Sequence, residues 1–273
     1  SDATRGILIG GYPGSTQVNE MRYVTIAQTG NTVDFGNLTA VSYGGATATS
    51  PTRGVIALGH GSPARVNTID YITISTTGNA ADFGDNTQEL NGIMGCSNAV
   101  RGLFAGGYLS GGIQNAISYI TIATLGNALD FGNLTATQRE AFSGIISTGV
   151  RGFNCGGHAS PVHLSVIDMI TIPTFGDAVD FGDLIKVGRN GGAVGNSTRG
   201  FTIGYSAPGD TFSNEIQKFN LITGGNAVET GECVVTRGQV GVSDPTRGVT
   251  CGGIYPGNGS TVMEYINLTT EGN

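Results

Sequence analysis

The 273-residue chain is poor in charge and rich in glycine: 12% of its residues are charged, 47 are glycine and none is tryptophan. Its formal net charge of −7 argues against a nucleic-acid partner, because binding to phosphates needs a basic patch. No run of apolar residues approaches the length of about 18 that a membrane-spanning helix needs, so we expect no membrane insertion.

Three phrases return along the chain. The first is Arg-Gly followed by a short apolar run, and its arginines are spaced 48, 48, 50, 48 and 48 residues apart: Arg5, Arg53, Arg101, Arg151, Arg199 and Arg247. The second is Tyr71-Ile72-Thr73-Ile74 and its counterparts. The third is Gly-Asn/Asp-x-x-Asp-Phe-Gly, which includes Asp34, Asp82, Asp130 and Asp180. A fixed period of this size is typical of a repeat array, so we interpret residues 1–273 as one domain of six repeats, the last one truncated.

Each repeat divides into four short segments with strand character. In the second repeat they are residues 55–59, 68–75, 80–83 and 90–97, and glycine, proline and asparagine stand between them. The segment 68–75 has apolar side chains on both of its faces, as expected for a strand between two neighbouring sheets. No segment has a 3.6-residue apolar period long enough for a helix. The sequence therefore predicts an all-β protein.

Four-stranded units repeated in line can form the blades of a β-propeller, in which each sheet packs face to face on the next. A double glycine closes the segment equivalent to residues 55–59 in several repeats, as in Gly106-Gly107 and Gly156-Gly157. In this feature, in period and in strand order the whole chain resembles kelch repeats, although the late tryptophan of those repeats is missing and Asp-Phe-Gly stands near its place. The prediction is a six-bladed, kelch-like propeller.

The number of residues bears on how the ring closes. Six repeats of 48 would need about 288 residues, so roughly 15 are missing, enough for the two segments equivalent to residues 80–83 and 90–97. We expect that the chain is a piece of a longer polypeptide whose flanking residues close the ring. The alternative is that the two blades at the seam have three strands each.

The connections on one face of such a propeller vary between repeats, whereas those on the other face are nearly constant. Binding usually resides in diversified loops on a rigid scaffold. An aromatic rim stands at the base of the variable loops, and its members are the candidate ligand-binding residues: Tyr12, His60, Tyr108, His158 and Tyr255. These rings could stack on a sugar or a peptide, or they could cap the core beneath the loops.

The repeated arginine invites a structural interpretation. The turn that precedes Arg53 and the start of the segment that contains Asp82 lie at the same end of a blade. We therefore expect a structural clip in which the guanidinium groups bond to carboxylates or to turn carbonyls. The residues of this predicted clip are Arg53, Arg101, Arg151, Asp82, Asp130 and Asp180.

No catalytic constellation is visible, and we predict neither an enzyme nor a cofactor. Asp-Phe-Gly is the magnesium-binding motif of protein kinases, but the glycine-rich loop, the strand lysine and the catalytic loop of those enzymes are missing from this sequence. The pair Asp82 and Asp85 is too small for a calcium shell, so no metal is expected. The four cysteines, which form no Cys-x-x-Cys pair, are interpreted as free and buried thiols.

The complete repeat motif resembles kelch-like repeats in structural proteins of marine tailed phages. This motif is Arg-Gly-Val-x-x-Gly-Gly-Tyr, followed by Ile-Asp-Tyr-Ile-Thr-Ile and Asp-Phe-Gly. The resemblance implies a non-enzymatic virion or extracellular module: a tail fibre, a spike or a head decoration. Its implied partners are other virion proteins or a host-surface glycan or protein, and a homo-oligomer is possible. Two alternatives stay open, a protein–protein assembly platform and a propeller-type glycan-active enzyme.

Overall fold

The computed structural model describes residues 4–11, 16–61, 63–141, 146–234, 237–255 and 258–270. These residues form six antiparallel sheets, which are the blades of a β-propeller. Blade 1 contains β1 (Arg5–Gly11), β2 (Val18–Thr25) and β3 (Val33–Asn37); blade 2 contains β4 (Ala46–Thr49), β5 (Arg53–Ala57), β6 (Thr68–Thr73) and β7 (Ala81–Asp85). Blade 3 contains β8 (Met94–Ser97), β9 (Arg101–Ala105), a ribbon of β10 (Tyr108–Leu109) and β11 (Gly112–Ile113), β12 (Ala116–Thr121) and β13 (Leu129–Asn133).

The second half of the chain continues the pattern. Blade 4 contains β14 (Ile146–Ser147), β15 (Arg151–Ala159), β16 (Val162–Thr171) and β17 (Val179–Asp183); blade 5 contains β18 (Gly192–Gly195), β19 (Arg199–Ala207), a 3-10 turn (Pro208–Asp210), β20 (Thr211–Asn220) and β21 (Val228–Glu232). Blade 6 contains β22 (Arg237–Ser243), β23 (Arg247–Tyr255), β24 (Asn258–Gly259) and β25 (Met263–Asn267). The all-β, six-bladed propeller predicted from the sequence is confirmed.

Within a blade, strands that follow each other in the chain lie side by side. Blade 2 has the order β4-β5-β6-β7, and its first strand contacts the first strand β8 of blade 3. First strands of neighbouring blades therefore line the axis, and we call them inner strands; the last strands, at the periphery, are outer strands. The observed strands lie close to the predicted segments. The main difference is the inner strand of blade 3, which was predicted over 90–97 and begins at Met94 because Gly92, with φ of 66°, makes a turn before it.

The hydrophobic core lies between the blades. Val55 and Ile69 of blade 2 pack in one cluster with Phe104 and Ile120 of blade 3. Burying one such side chain contributes about 1.5–3 kcal/mol. The third strand of a blade buries both of its faces, as predicted, since Ile69 and Ile72 are both buried. Stability is therefore distributed over the interfaces between neighbouring blades.

The Asp-Phe-Gly phrase joins neighbouring blades at the periphery. The amides of Gly126 and Ala128, in the turn before β13, donate to the carbonyls of Phe83 and Asp85, at 2.9 and 2.7 Å. A β-carbon on Gly84 would lie 2.6 Å from the Gly126 carbonyl, and Gly84 has a φ of 144°. Only glycine allows this close approach. The repeated phrase is thus an inter-blade joint.

Blades 6 and 1 meet at the seam of the ring. Val242 of blade 6 packs with Val24 and Ile26 of blade 1, and Arg247 Nη1 donates to the Ile26 carbonyl at 3.3 Å. Within the described residues, blade 1 has three strands, and blade 6 has three long strands with the short β24.

Candidate binding face

The loop face is formed by two kinds of connection: those from the second to the third strand of a blade, and those from the outer strand to the next inner strand. Isolated β-bridges join the two kinds, pairing Tyr43 with His60, Asn91 with Tyr108, Arg139 with His158, and Arg189 with Ser206. The variable loops are therefore paired with the neighbouring connections in the same way in four blades.

A row of main-chain hydrogen bonds runs around the mouth of the axial channel on this face. Each amide donates to a carbonyl of the preceding blade: Gly92 to Gly44, Glu140 to Gly92, Asn190 to Glu140, and Gly238 to Asn190, at 2.5–2.9 Å. Glu140 and Asn190 have φ values of 55° and 53°, in the left-handed region that glycine occupies in the other blades. Retaining these two side chains at strained positions is a feature typical of functional sites.

Arginines gather beside Glu140. The guanidinium groups of Arg65 and Arg139 lie 4.6 and 4.9 Å from the centre of the Tyr108 ring. Arg139 and Arg189 both form ion pairs with Glu140, the former at 3.4 Å. We call these five residues the arginine cluster. With three cations and one carboxylate, it is locally positive on a chain whose net charge is −7.

Two pairs of rings flank the arginine cluster. His60 stacks on Tyr43 with ring centres 5.1 Å apart, and His158 meets His163 at the same distance. Burial, and then the charges of Arg189 and Arg139, lower the pKa of His158 from its ordinary value of 6.5. The lowered pKa favours the neutral form of His158.

The structure describes the side chains of three of the five predicted rim residues. His60, Tyr108 and His158 are half-buried on the loop face. His60 lies against Tyr43 and His158 against His163, whereas the Tyr108 ring has two guanidinium groups over it, those of Arg65 and Arg139. These contacts are the ones that the capping interpretation expects. Tyr12 and the side chain of Tyr255 lie outside the described residues, so their part of the prediction is untested.

An open groove lies next to the arginine cluster, between the loops of blades 2 and 3. Its volume is about 500 Å³. His60 and Arg65 line one side, and Glu89 and Leu109 line the other. A groove that combines an aromatic ring, a guanidinium and a carboxylate offers both stacking and charged hydrogen bonds to a polar ligand.

Sequence reasoning missed the three arginines of the cluster. It used the arginines of the Arg-Gly phrase, and Arg65, Arg139 and Arg189 stand outside that phrase, in the variable loops. In an otherwise charge-poor chain, arginines that break the repeat were a signal that could have been followed.

The predicted clip is built differently from the arginine–aspartate arrangement that we considered. Arg53 Nη1 donates to the Ile122 carbonyl of the next blade at 2.7 Å, and Arg101 Nη1 donates to the Ile172 carbonyl at 2.7 Å. Arg151 reaches the Leu221 carbonyl at 3.4 Å. Asp82, Asp130 and Asp180 are exposed on the outer strands and accept no bond from these three arginines. The carbonyl alternative therefore describes the clip, and the bond crosses between blades because each guanidinium points at the neighbouring third strand.

Two buried aspartates form a second connection that the sequence did not suggest. Thr135 Oγ1 donates to Asp168 at 2.6 Å, and Gln138 Nε2 donates at 2.8 Å, both from the preceding blade. Thr39 binds Asp70 in the same way, through its amide and its hydroxyl. Burial raises the pKa of both carboxyl groups above 3.8, and the hydrogen bonds from threonine partly oppose that shift. We call this contact the polar clasp.

The four cysteines are free and buried, as predicted. Burial raises the pKa of Cys96 and Cys233 to about 12 and that of Cys251 to about 11. A thiol with such a pKa holds its proton at neutral pH and is a poor nucleophile. Among the described residues, no group of three or more His, Cys, Asp and Glu side chains is placed to hold a metal ion.

No protein-family model matches the chain, and no curated protein matches it in sequence. Among the described residues, no helix is long and apolar enough to cross a membrane. The argument for function therefore depends on the loop face, its charge and the groove.

Proposed function

We propose that the protein is a non-enzymatic structural and adhesion module of a tailed-phage virion, and that its loop face binds an acidic host-surface glycan. The carrying observation is the arginine cluster, in which Arg65 and Arg139 lie against Tyr108. Guanidinium groups form paired hydrogen bonds with carboxylates, and an aromatic ring supplies a surface for the sugar ring. The virion assignment is supported by the resemblance of the repeat wording to phage structural proteins.

The glycan proposal is tested by measuring binding of the full chain to immobilised acidic and neutral polysaccharides. Acidic polysaccharides should bind, and added salt should weaken the binding because the contact is ionic. Arg139→Ala should lower the affinity about tenfold or more. Arg22→Ala is the matched control, since Arg22 lies on an outer region of blade 1 and pairs with Glu20. Equal binding to neutral polysaccharides, or an unchanged affinity of the Arg139 variant, would contradict the proposal.

The virion assignment needs a separate test. Gold-labelled antibodies against the chain should mark a defined part of purified particles in electron micrographs. Labelling of the tail would favour adhesion, and labelling of the capsid would favour decoration. Recovery of the chain only as a free monomer, with no label on particles, would contradict the assignment.

A specific observation favours the assembly platform as a second function of the same module. The face opposite the loops carries exposed apolar side chains at corresponding positions of several blades: Val33, Val100, Leu125, Leu129, Val150, Phe175, Val179, Ile222 and Val228. Recurrent exposed apolar residues of this kind mark surfaces that dock onto another protein. We propose that this constant face seats the module on its neighbour in the virion while the loop face points outward.

Charge placed on the constant face tests the seating. The double variant Leu125→Asp and Val150→Asp should fold, because both side chains are more than half exposed, but should fail to enter assembled particles. Arg139→Ala should enter them normally. Normal incorporation of the double variant into particles would contradict the proposal that the constant face binds the neighbouring virion protein.

A further inference from the structure

Glu140 stands at a position where the equivalent connections into blades 2 and 3 have glycine. Its φ of 55° lies in the left-handed region, as do the φ values of Gly44 and Gly92, at 65° and 66°. A residue with a side chain is disfavoured in this conformation. Gly92 leaves room for the side chain, since a β-carbon there would lie 3.1 Å from Glu140 Cγ. The Glu140 side chain is therefore placed at the channel mouth, beside the glycine of the preceding connection.

The Glu140 carboxylate has a guanidinium group at each of its two oxygens. Arg189 Nη1 donates to Oε2, and Arg139 Nη1 lies 3.4 Å from Oε1. Asn190 Nδ2 also donates to Oε2, at 3.4 Å. The N–H groups of a guanidinium match the two oxygens of a planar carboxylate. The groups around Glu140 are therefore those of a carboxylate-binding site.

The guanidinium of Arg139 has hydrogen-bonding capacity that the chain leaves unused. Its distance of 3.4 Å to Glu140 is long for a bond between charged groups, and its Nε is buried without a partner among the described residues. Glu140 is the next residue in the chain, so its carboxylate cannot approach Arg139 from every direction. A carboxylate that arrives from solution is not restricted in this way and can form shorter, paired bonds to Arg139.

The three charged side chains are accessible but partly sheltered from water. Arg139, Arg189 and Glu140 are 25%, 20% and 22% exposed, against 52% and 53% for the surface pair of Arg22 and Glu20. Charges interact more strongly where water is partly excluded, so the ion pairs of Glu140 are stronger than that surface pair. A ligand that binds Arg139 and Arg189 must compete with them.

We propose that Arg139 and Arg189 form a carboxylate-binding subsite of the loop face, and that Glu140 occupies it in the free protein as an internal competitor. The carboxylate of an acidic sugar binds by displacing the Glu140 side chain from the two guanidinium groups. This inference rests on the proposed glycan function and adds to it that the recognised group is a carboxylate and that the chain limits its own affinity. The measured affinity is lower than the intrinsic one by the fraction of molecules whose subsite is open.

Glu140→Gln tests the competition, because it keeps the size of the side chain and removes its charge. The probe is polygalacturonate, a polymer of carboxylated sugars, titrated into the full chain in a calorimeter. The variant should bind about tenfold more tightly than the parent protein, because most parent molecules hold Glu140 in the subsite. Glu20→Gln is the matched control. It changes the net charge by the same amount and releases Arg22 from an ion pair on blade 1, and its affinity should equal that of the parent.

A second variant and a second polymer sharpen the test. Glu140→Gly should fold, because glycine has this backbone conformation in the connections into blades 2 and 3, and it should bind polygalacturonate at least as tightly as Glu140→Gln does. Dextran sulfate carries tetrahedral sulfates in place of planar carboxylates. The gain in affinity from Glu140→Gln should be smaller with this polymer, because the subsite is arranged around two oxygens. An equal gain with dextran sulfate would overturn the assignment to carboxylates.

The competition is overturned if both Glu140 variants bind polygalacturonate no more tightly than the parent, since Glu140 would then only hold the arginines in place. It is also overturned if Glu20→Gln gains as much as Glu140→Gln, because net charge alone would explain the effect. Failure of the glycan function is recognised separately with polyglutamate. Binding of polyglutamate but not of polygalacturonate, with the same gain in Glu140→Gln, would contradict the glycan function and support the carboxylate subsite. Binding of neither polymer by Glu140→Gln would overturn both.

Discussion

The interface between blades 3 and 4 and the seam between blades 6 and 1 are built from the same repeat but are held differently. Across the first interface, Arg101 bonds to the Ile172 carbonyl at 2.7 Å, and Asp168 accepts bonds from Thr135 and Gln138. The outer strand adds a further bond, in which the Asn133 amide donates to Asp177 at 2.8 Å. These two blades are therefore connected by the arginine, by the buried clasp and by the hydrogen bond between Asn133 and Asp177 at the periphery.

Among residues 4–11, 16–41, 237–255 and 258–270, which the structure describes at the seam, the apolar contact is kept and fewer polar contacts are present. Val242 still packs against Gly6, and Arg247 still bonds to the Ile26 carbonyl, at the longer distance of 3.3 Å. At the position of Asp168, blade 1 has Arg22, whose side chain is half exposed and pairs with Glu20 of its own strand. Within the described residues, apolar packing and one arginine connect the two blades at the seam, whereas the clasp is found where an outer strand leads into the next blade.

The largest effect is expected from the clasp. Asp168→Ala should lower the free energy of unfolding by about 3 kcal/mol, because it leaves Thr135 and Gln138 without their buried acceptor. Urea unfolding at pH 7 measures the loss. At the seam, Arg22→Ala should change stability by less than about 0.5 kcal/mol, since its ion pair is exposed. Similar losses in the two variants would show that the clasp and the seam are not energetically different.

A smaller effect is expected at the repeated glycine. Gly102→Ala should destabilise the protein by about 2 kcal/mol, because its methyl group would collide with Ala48 of the preceding blade. Gly54→Ala should stay within about 1 kcal/mol of the parent protein, because the nearest atoms are Cγ1 and Cδ1 of Ile72, at 3.0 and 3.3 Å, and the substitution stiffens the unfolded chain. Thermal unfolding of the two variants side by side makes the comparison. A larger loss at Gly54 would mean that this glycine has no more room for a methyl group than Gly102 has.

A pH dependence should appear at the clasp and not at the seam. Burial raises the pKa of Asp168 above 3.8, so the folded state holds this proton more tightly than the unfolded state does. The stability contributed by the raised pKa is complete below pH 3.8 and is lost as the pH rises through the folded-state value. Relative to Asp168→Asn, the parent protein should therefore lose stability as the pH rises above 3.8. Arg22→Gln should give a curve parallel to that of the parent, and a parallel curve for Asp168→Asn would contradict the prediction.

The sequence predicted the blades because six copies of one pattern reinforce each other. It could not predict the clasp, because the residue at this position changes from blade to blade and only two blades share the same one, an aspartate. In chain order the six residues are Arg22, Asp70, Ser118, Asp168, Gln217 and Glu264. A repeat position at which the residue type changes is usually interpreted as exposed, but Asp70 and Asp168 are fully buried. All of these residues except Arg22 share a partner in the connection that leads from the preceding blade, and such partners appear only when the blades are placed side by side.

The candidate site was predicted in part, for a related reason. The diversified loops indicated the face, and the rim residues His60, Tyr108 and His158 do lie on it. The arginine cluster stayed hidden because it is assembled across blades: Arg65 comes from blade 2, Tyr108 from blade 3, and Arg139 from the connection into blade 4. Contacts between loops that are far apart in the chain depend on the blade geometry, and no single repeat contains the pattern.

The smallest effect concerns local opening at the seam. Cys96 and Cys251 are both buried, but Cys96 lies in the inner strand of blade 3 and Cys251 lies in a seam blade. Since blade 6 has fewer polar connections to its neighbour, it should open locally at a lower free energy than blade 3. Thiol labelling in urea below the unfolding transition, read by mass spectrometry, should therefore modify Cys251 before Cys96. Raising the pH from 7 to 9 should speed both reactions without reversing their order, because the order is set by opening and not by the thiol pKa. Equal labelling rates would mean that the ring opens only as a whole, and that the seam is as strongly closed as the interfaces that carry the clasp.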